Sequence, residues 1–514
     1  MMARLALVGG PPLLVAVVVV VNGWSGLMPG VGFWDTGEFQ TVLPLLGTAH
    51  PTGYPTYVLL GFVANLLLAP LGEPAFRITV LSLLAVAFAA ATTVLLVRRL
   101  TGSSLIAMTS GAGLATTPVV WANATRADPH PIHLAFVALL LLLLVSWEGA
   151  RKAGSPVADR WLVGAAAVFG LAAANHSLTL LLAPGIGLYV LAVDRRVLTA
   201  PRLLLGCAVA AVGAFGLVYL ELPLRAGPFR APLVYGHPET WDGFWSIALA
   251  EQFRGSLVDP FGNLGPKIAD LWRFTSDQLG LLAYAVVPAF VVTVVRAPRY
   301  ALLSGAAMLI TLWFDMSYLN ADIERYYLGP VLWAWTWLGV LGAAIVAGVA
   351  GLVLSLRERR AGGGSTMVVR AGFAILIGVS LLLPSLSTWD DRRFRADRHD
   401  DTSATRWLDE VLPALAPDAV VVSWWSTSTP LWYAQLVEGR RSDVFIVDDR
   451  TVVDEGFGSA GHVIGRFLDE RPVYVIRASS RDLDALRADY GLEPTVGAGE
   501  LTVWRVTGRR TASR

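Results

Sequence analysis

Apolar runs of membrane-spanning length alternate with short polar clusters up to residue 388; beyond it, brief apolar runs sit between amphipathic ones. A helix needs about 20 mostly apolar residues to cross a bilayer. On that rule the chain offers spans at 5–21, 78–97, 105–121, 132–147 and 161–174. Further spans follow at 178–193, 203–222, 279–295, 301–319, 328–354 and 368–386. One more apolar stretch, 56–71, is ambiguous. Basic residues resolve it, because short cytoplasmic loops are enriched in Lys and Arg. With Arg4 inside, Arg98/Arg99, Arg151/Lys152, Arg195/Arg196, Arg296/Arg299 and Arg357/Arg359/Arg360 all fall on the cytoplasmic side only if 56–71 does not cross. The pattern thus predicts a polytopic α-helical membrane protein with about eleven spans and a cytoplasmic N-terminus. Segment 56–71 becomes an interfacial or re-entrant helix, led in by Pro51, Gly53 and Pro55. The apolar N-terminal run, which lacks a small-residue cleavage site, reads as an uncleaved first span.

This topology divides the chain into a transmembrane domain, 1–388, and a soluble domain, 389–514. The second holds 21 of the 39 acidic residues. There "DAVVVS", "DVFIVDD" and "RPVYVI" read as buried strands, while "TSATRWLDEVLPAL", "GHVIGRFLDE" and "SRDLDALRADY" read as helices. Such alternation predicts an α/β domain with a mainly parallel sheet. An odd number of preceding spans puts it outside the membrane, on the extracytoplasmic face. "RERRAGGGSTM" reads as a cytoplasmic linker between the last two spans.

Composition narrows the class. The chain is 55% hydrophobic and 15% charged, against about 25% charge in a soluble globular protein. A net charge of +1 without a clustered basic face excludes a nucleic-acid partner. The single cysteine, Cys207, rules out an intramolecular disulfide. An Ala-, Arg- and Gly-rich style points to a bacterial chain, hence a plasma membrane. Titratable groups gather at the outer ends of helices, in the loops 22–55, 122–131, 223–277 and 320–327, so the candidate site lies on the outer face.

The first of these loops is the most suggestive. "FWDTGEFQTVLPLLGTAHPTGYPTY" puts Asp35 and Glu38 three residues apart just beyond the first span. D-x-x-E is a capping-box pattern, with Asp at the N-cap. The pair also suits a general base at the lipid–water boundary, where burial raises a carboxylate pKa and a nearby cation lowers it. His50 could contact an anion or only cap the following helix. Arg126, Asp128, His130 and His133 crowd one short loop. A metal is not expected there, since the histidines flank a proline and no second ligand cluster follows. Arg126 suits phosphate. Asn175-His176 reads as a polar turn, Arg225 lies just past a span, and Asp322, Glu324, Arg325 and Tyr327 are dense for a short turn.

Together these motifs carry a resemblance. The D-x-G-E-F of 35–39, followed by A-H-P-x-G-Y-P-x-Y at 49–57, resembles the opening signature of a protein O-mannosyltransferase-like family within the GT-C superfamily of polytopic glycosyltransferases. "NHSLTLLLAPG", "LPLRAGPFRAPLVYGHPET", "DIERYYLGP" and "STPLWYAQLVEGRRSDV" are similar to later family elements, in order. Where the family has Glu-x-Tyr-x-x-His after the third span, this chain has Asp128-Pro-His130-Pro-Ile-His133.

The resemblance implies an inverting transferase using a polyprenyl-phosphate-linked sugar, often mannose, as donor substrate, with no cofactor. It implies Asp35 as catalytic base and Glu38 as its partner or as an acceptor-binding group. Substrate contacts are expected from His50, Tyr54, Arg126, Asp128, His133, Asn175, His176, Arg225, His237, Asp322, Arg325 and Tyr327. Arg126, His176 and Arg225 are the candidates for stabilising the leaving phosphate. The partners would be the lipid bilayer, the lipid-linked donor, and a protein or glycan hydroxyl acceptor. A flippase, or a non-catalytic scaffold of envelope assembly, is the rival class. A transporter calls for repeats and polar residues near the bilayer middle, and the chain has neither pattern.

Overall fold

The computed structural model describes residues 2–358, 366–477 and 479–510; most of the expected cytoplasmic linker, 359–365, lies outside them. Six helices among the described residues are long and apolar enough to cross a membrane: Pro74–Thr101, His130–Lys152, Pro201–Ala226, Leu264–Arg296, Ile323–Ser355 and Met367–Ser387. A bent pair, Ser104–Ala115 and Pro118–Ala124, turns through 66° and makes a seventh if it counts as one span. The expected count of about eleven is therefore not reached.

The reason is local. Pro118 forces Thr117 into an extended conformation (φ −65°, ψ 133°) and breaks the run at 105–121. The run at 178–193 divides into a 3-10 turn, Ser177–Leu182, and the short helix Ala183–Val193. Helix Ala158–Asn175 has 18 residues but spends Asp159, Arg160 and Asn175 on its ends. Helix Pro55–Leu67 has 13 residues, about 20 Å at 1.5 Å per residue, which is too short to span. Ser177–Val193 is likewise a shorter apolar helix, whereas the first helix runs Met2–Trp24.

The C-terminal region opens with helix Trp389–Ala396 and builds one five-stranded sheet. Its strands are β1 (Val420–Val422), β2 (Phe445–Val447), β3 (Val473–Val475), β4 (Tyr490–Val496) and β5 (Val503–Arg509), in the order β2-β1-β3-β5-β4. The all-apolar β1 pairs in parallel with both β2 and β3, whereas β5 is antiparallel to β3 and β4. Helices Ser403–Ala414, Ala460–Phe467 and Ser480–Asp489 connect and cover it.

This sheet domain is packed onto the membrane domain at the end that carries Asp35. Helix Trp425–Trp432, which follows β1, lies against helix Trp34–Leu45. Thr41 donates its hydroxyl to the Thr429 carbonyl (3.4 Å), and the Tyr433 hydroxyl accepts the amide N–H of Ala75 (3.0 Å). Gly37 makes the approach possible. A Cβ there would sit 2.2 Å from the Gly32 carbonyl oxygen and 2.9 Å from the Thr429 hydroxyl, so the glycine of D-x-G-E-F is required by two crowding neighbours.

Candidate active site

Helix Trp34–Leu45 starts abruptly. Phe33 is extended, no side chain caps the first turn, and Trp34 has φ +58°, a left-handed conformation that costs a bulky residue energy. Gln40 holds the loop in front of it: its Nε2 donates to the Gly30 carbonyl (3.0 Å), and its Oε1 accepts from the Gly32 N–H (2.8 Å). The capping box that D-x-x-E suggests does not form. Asp35 sits inside the first turn, and Glu38 turns to partners from elsewhere in the chain.

Asp35 lines a cavity of about 900 Å³. Its carboxylate accepts from Arg325 Nη1 at 3.0 Å and keeps 27% of its side-chain surface exposed. The same Nη1 donates to Asp128 (3.0 Å), and Arg325 Nη2 pairs with Asp322 (2.9 Å). Arg325 is thus clamped by three carboxylates. Asp128 is buried and also accepts from the backbone N–H of His130 (2.8 Å) and its ring Nδ1 (2.7 Å). Burial by itself raises both acids, but it is outweighed. For Asp35 the charges of His50 and Arg325 bring the pKa below the ordinary 3.8, and for Asp128 those of His130 and Arg325 bring it well below. Both are carboxylates at neutral pH.

Glu38 is fully buried and does not line the cavity. It accepts from the His50 amide (3.0 Å), bonds the His50 ring at Nδ1, and accepts the Tyr235 hydroxyl. Arg450 lies 3.6 Å away. Burial raises its pKa, and His50 and Arg450 lower it further than burial raises it. His50 Nε2 in turn lies 3.1 Å from the Tyr54 hydroxyl.

The remaining candidates divide by position. His50, Tyr54, Arg126, His176, Asp322 and Arg325 line the cavity with Asp35. Arg126 is loosely held, 3.9 Å from Asp128 and 3.4 Å from Asn123. His176 is buried, and that burial drives its pKa well below 6.5, so it is a neutral imidazole rather than a cation. Asp128, His133 and Asn175 stand behind the wall: Asn175 donates to the Pro129 carbonyl (3.2 Å), and His133 contacts Thr179 (3.3 Å).

Three expected contacts lie elsewhere. Arg225 donates to the carbonyls of Leu45 (3.0 Å) and Leu46 (3.1 Å), capping the far end of the Asp35 helix. His237 is exposed on Glu239 (3.1 Å), and Tyr327 packs on Phe274 with ring centroids 4.6 Å apart.

Several wall residues were not among the expected substrate contacts, including His130, whose crowded loop the sequence singles out. His130 lines the cavity, its ring 4.7 Å from that of His176 and 5.4 Å from that of Tyr326, with Nε2 buried and unpartnered. Trp425 and Arg450 reach it from the sheet domain. They follow β1 and β2, and the carboxyl ends of parallel strands are where open α/β sheets present ligand groups; the "VDDR" after β2 was the available signal. Among the described residues, no group of three or more His, Cys, Asp or Glu is arranged to hold a metal.

Residues 35–199 match the model of the "Protein O-mannosyl-transferase TMEM260 N-terminal domain" family, a match that begins at Asp35 itself. That part of the chain is similar to the family's N-terminal domain. The chain is 25% identical to the mouse protein O-mannosyl-transferase TMEM260 over 444 residues, which is 82% of this chain and 60% of that protein. The chain therefore spans about three-fifths of its curated relative's length. Among solved structures it resembles ArnT from Cupriavidus metallidurans bound to undecaprenyl phosphate, with a TM-score of 0.56, 15% identity and 98% of each chain covered. It also resembles the oligosaccharyltransferase AglB from Archaeoglobus fulgidus in complex with an inhibitory peptide and a dolichol-phosphate. There the TM-score is 0.52, with 14% identity, 94% of this chain covered and 72% of that one. At these identities the likeness is one of fold. The family match covers the helices and loops that carry Asp35 through His176, and it stops before Arg325 and Arg450.

Proposed function

We propose that this protein is an inverting glycosyltransferase that moves a sugar, mannose, from a polyprenyl-phosphate carrier to a hydroxyl of a protein or glycan acceptor at the outer membrane–water interface. Its N-terminus would lie in the cytoplasm of a bacterial cell and its sheet domain outside. The observation that carries the reading is the Asp35 carboxylate, ionised, partly exposed into a cavity of about 900 Å³, and aimed by an arginine 3.0 Å away. The TMEM260 family match and the ArnT and AglB folds, solved with polyprenyl-type phosphates, support the donor class.

In the reaction, Asp35 takes the proton of the acceptor hydroxyl as its oxygen bonds to the anomeric carbon. The bond from that carbon to the phosphate oxygen breaks, and its electron pair leaves with the lipid phosphate. Arg325 holds Asp35 ionised and oriented. Its Nη1 and Nη2 donors are turned to carboxylates, so the developing phosphate charge falls to other groups, Arg126 among them. Glu38, enclosed by His50, Tyr235 and Arg450, is a positioning residue that sets the shape of the loop. The leaving group carries one phosphate, whose charge arginine can match, so the proposal includes no metal and no cofactor.

The test is transfer of label from polyprenyl-phosphate-mannose in membranes carrying wild type or Asp35→Asn. Loss of transfer with the protein still folded and inserted supports the reading. Equal transfer sinks Asp35 as the base, and no transfer by wild type sinks the mannose donor.

A further inference from the structure

Five arginines line the cavity beside Asp35: Arg126, Arg254, Arg325, Arg398 and Arg450. Four are engaged by hydrogen bonds or short ion pairs, or sit largely in solvent. Arg325 is clamped by three carboxylates. Arg254 pairs with Glu251 (3.0 Å) at an exposed site, Arg398 faces Asp401 at 4.0 Å and is 42% exposed, and Arg126 bonds Asn123, with its buried Nε 3.9 Å from Asp128 and not hydrogen-bonded. Arg450 differs. Its side chain is 18% exposed and packed between two rings, with the guanidinium carbon 4.5 Å from the Tyr235 centroid and 5.1 Å from that of Trp425. Stacking of this kind fixes the plane of the guanidinium while leaving its edge donors open.

Among the described residues that guanidinium makes no hydrogen bond. Its Nη1 pairs with Glu38 only at 3.6 Å, beyond hydrogen-bond reach, Glu38 already accepts from His50 and Tyr235, and Nη1 is therefore buried without a hydrogen bond. The indole Nε1 of Trp425 is likewise buried and unpartnered. Buried donors are nearly always satisfied, so two orphans side by side at a cavity wall call for an absent acceptor. Both come from turns at the carboxyl edge of the parallel strands β1 and β2. Asp448 anchors one turn by accepting from the Thr451 N–H (2.8 Å), and Asp449 anchors the other by accepting from the Trp425 N–H (3.1 Å).

We infer that Arg450, with Trp425 beside it, forms a phosphate subsite contributed by the sheet domain, so that the cavity is complete only when both domains are in contact. The inference rests on the polyprenyl-phosphate reading above and deepens it by assigning a holder for the phosphate. The ligand chemistry is a phosphate monoester anion, with the planar arginine fork as its main partner.

The experiment measures binding of radiolabelled undecaprenyl monophosphate to the full-length protein in nanodiscs, for wild type, Arg450→Lys and Arg450→Gln, with a thermal midpoint recorded for each. Loss of a charge-assisted contact predicts a Kd raised about tenfold or more in Arg450→Gln. Arg450→Lys, which keeps the charge and loses the fork, should fall between. Uncharged undecaprenol serves as the control ligand, and its binding should be the same in all three. Inorganic phosphate serves as competitor. Competition that Arg450→Gln abolishes assigns the subsite to the anion itself, and competition by the intact lipid alone assigns it to the membrane-tethered phosphate; either supports the proposal. Undecaprenyl monophosphate binding within twofold of wild type in Arg450→Gln overturns it and leaves the transferase reading standing. Equal weakening of undecaprenol binding also overturns it, because the effect is then on the fold. Wild type that does not bind undecaprenyl monophosphate at all overturns the donor reading, and the subsite with it.

Discussion

Asp35 and Glu38 stand one helical turn apart, yet their surroundings are opposite. Asp35 meets one arginine and keeps part of its surface open to the cavity, whereas Glu38 is sealed behind His50, Tyr235 and Arg450. A carboxylate with an open face can take a proton from an arriving hydroxyl. One whose lone pairs are already filled cannot, and works instead as a tie between the first loop, the 235 loop and the sheet domain. Two acids in one short motif thereby acquire different duties from their neighbours alone. The same contrast separates the two central arginines: Arg325 has its Nη donors hydrogen-bonded to carboxylates, while Arg450, 3.6 Å from Glu38, makes no hydrogen bond.

Five experiments would break or sharpen that contrast. The largest effect is expected from Asp35→Asn, which should lower sugar transfer by about 10²–10⁴-fold, the usual worth of a general base, with little change in thermal midpoint. A variant that unfolds would move Asp35 to the structural side. Glu38→Gln should do the reverse. Removing one member of a buried charged set costs about 3–5 kcal/mol of stability, read as a lowered denaturation midpoint, and transfer should fall only as far as the loop loosens. A fully stable Glu38→Gln with no transfer would make Glu38 the base instead.

Gly37→Ala should cost about 1–3 kcal/mol through overpacking, since its Cβ has no room between Gly32 and Thr429. Limited proteolysis between the membrane and sheet domains would report the loosened contact. The smallest expected change is with pH. Asp35 and Glu38 both have pKa values below their ordinary 3.8 and 4.5. The stability they contribute is therefore present above those values and lost only as pH falls through the lower, folded ones. Their contribution to midpoint and to transfer should be flat from about pH 5 upward. An acid limb above that range would show that a group other than these carboxylates controls activity. Chelation should likewise leave transfer unchanged, and its loss on EDTA treatment would require a metal in the mechanism.

The apolar runs made the membrane domain legible, because twenty-residue hydropathy is a local property. They overcounted spans where Pro118 or the 3-10 turn at 177–182 interrupts a helix that composition alone would carry through. In the sheet domain, β1, β2 and β3 were readable from runs such as Val420–Val422, whereas the hairpin β4–β5, with Gly491, Pro494 and exposed charges, has too weak a pattern. Among site residues, Asp35, His50 and Arg126 stood out by residue type and loop position. Arg225 and His237 stood out equally and lie outside the cavity, since a basic side chain near a helix end serves as readily to cap backbone carbonyls or to pair at the surface.

From its order of residues alone, this chain determined that it enters a membrane, that a separate acidic sheet domain follows, and that a D-x-G-E-F turn meets the boundary. Each is written in neighbouring residues and needs no distant partner. Tertiary structure decided which acid faces the cavity and which arginines line it. Arg325 reaches Asp35 across 290 positions of sequence, and Arg450 arrives from the end of a strand in another domain. Packing brings such pairs together, and no local periodicity encodes them, because the energy of a side chain depends on what surrounds it in space.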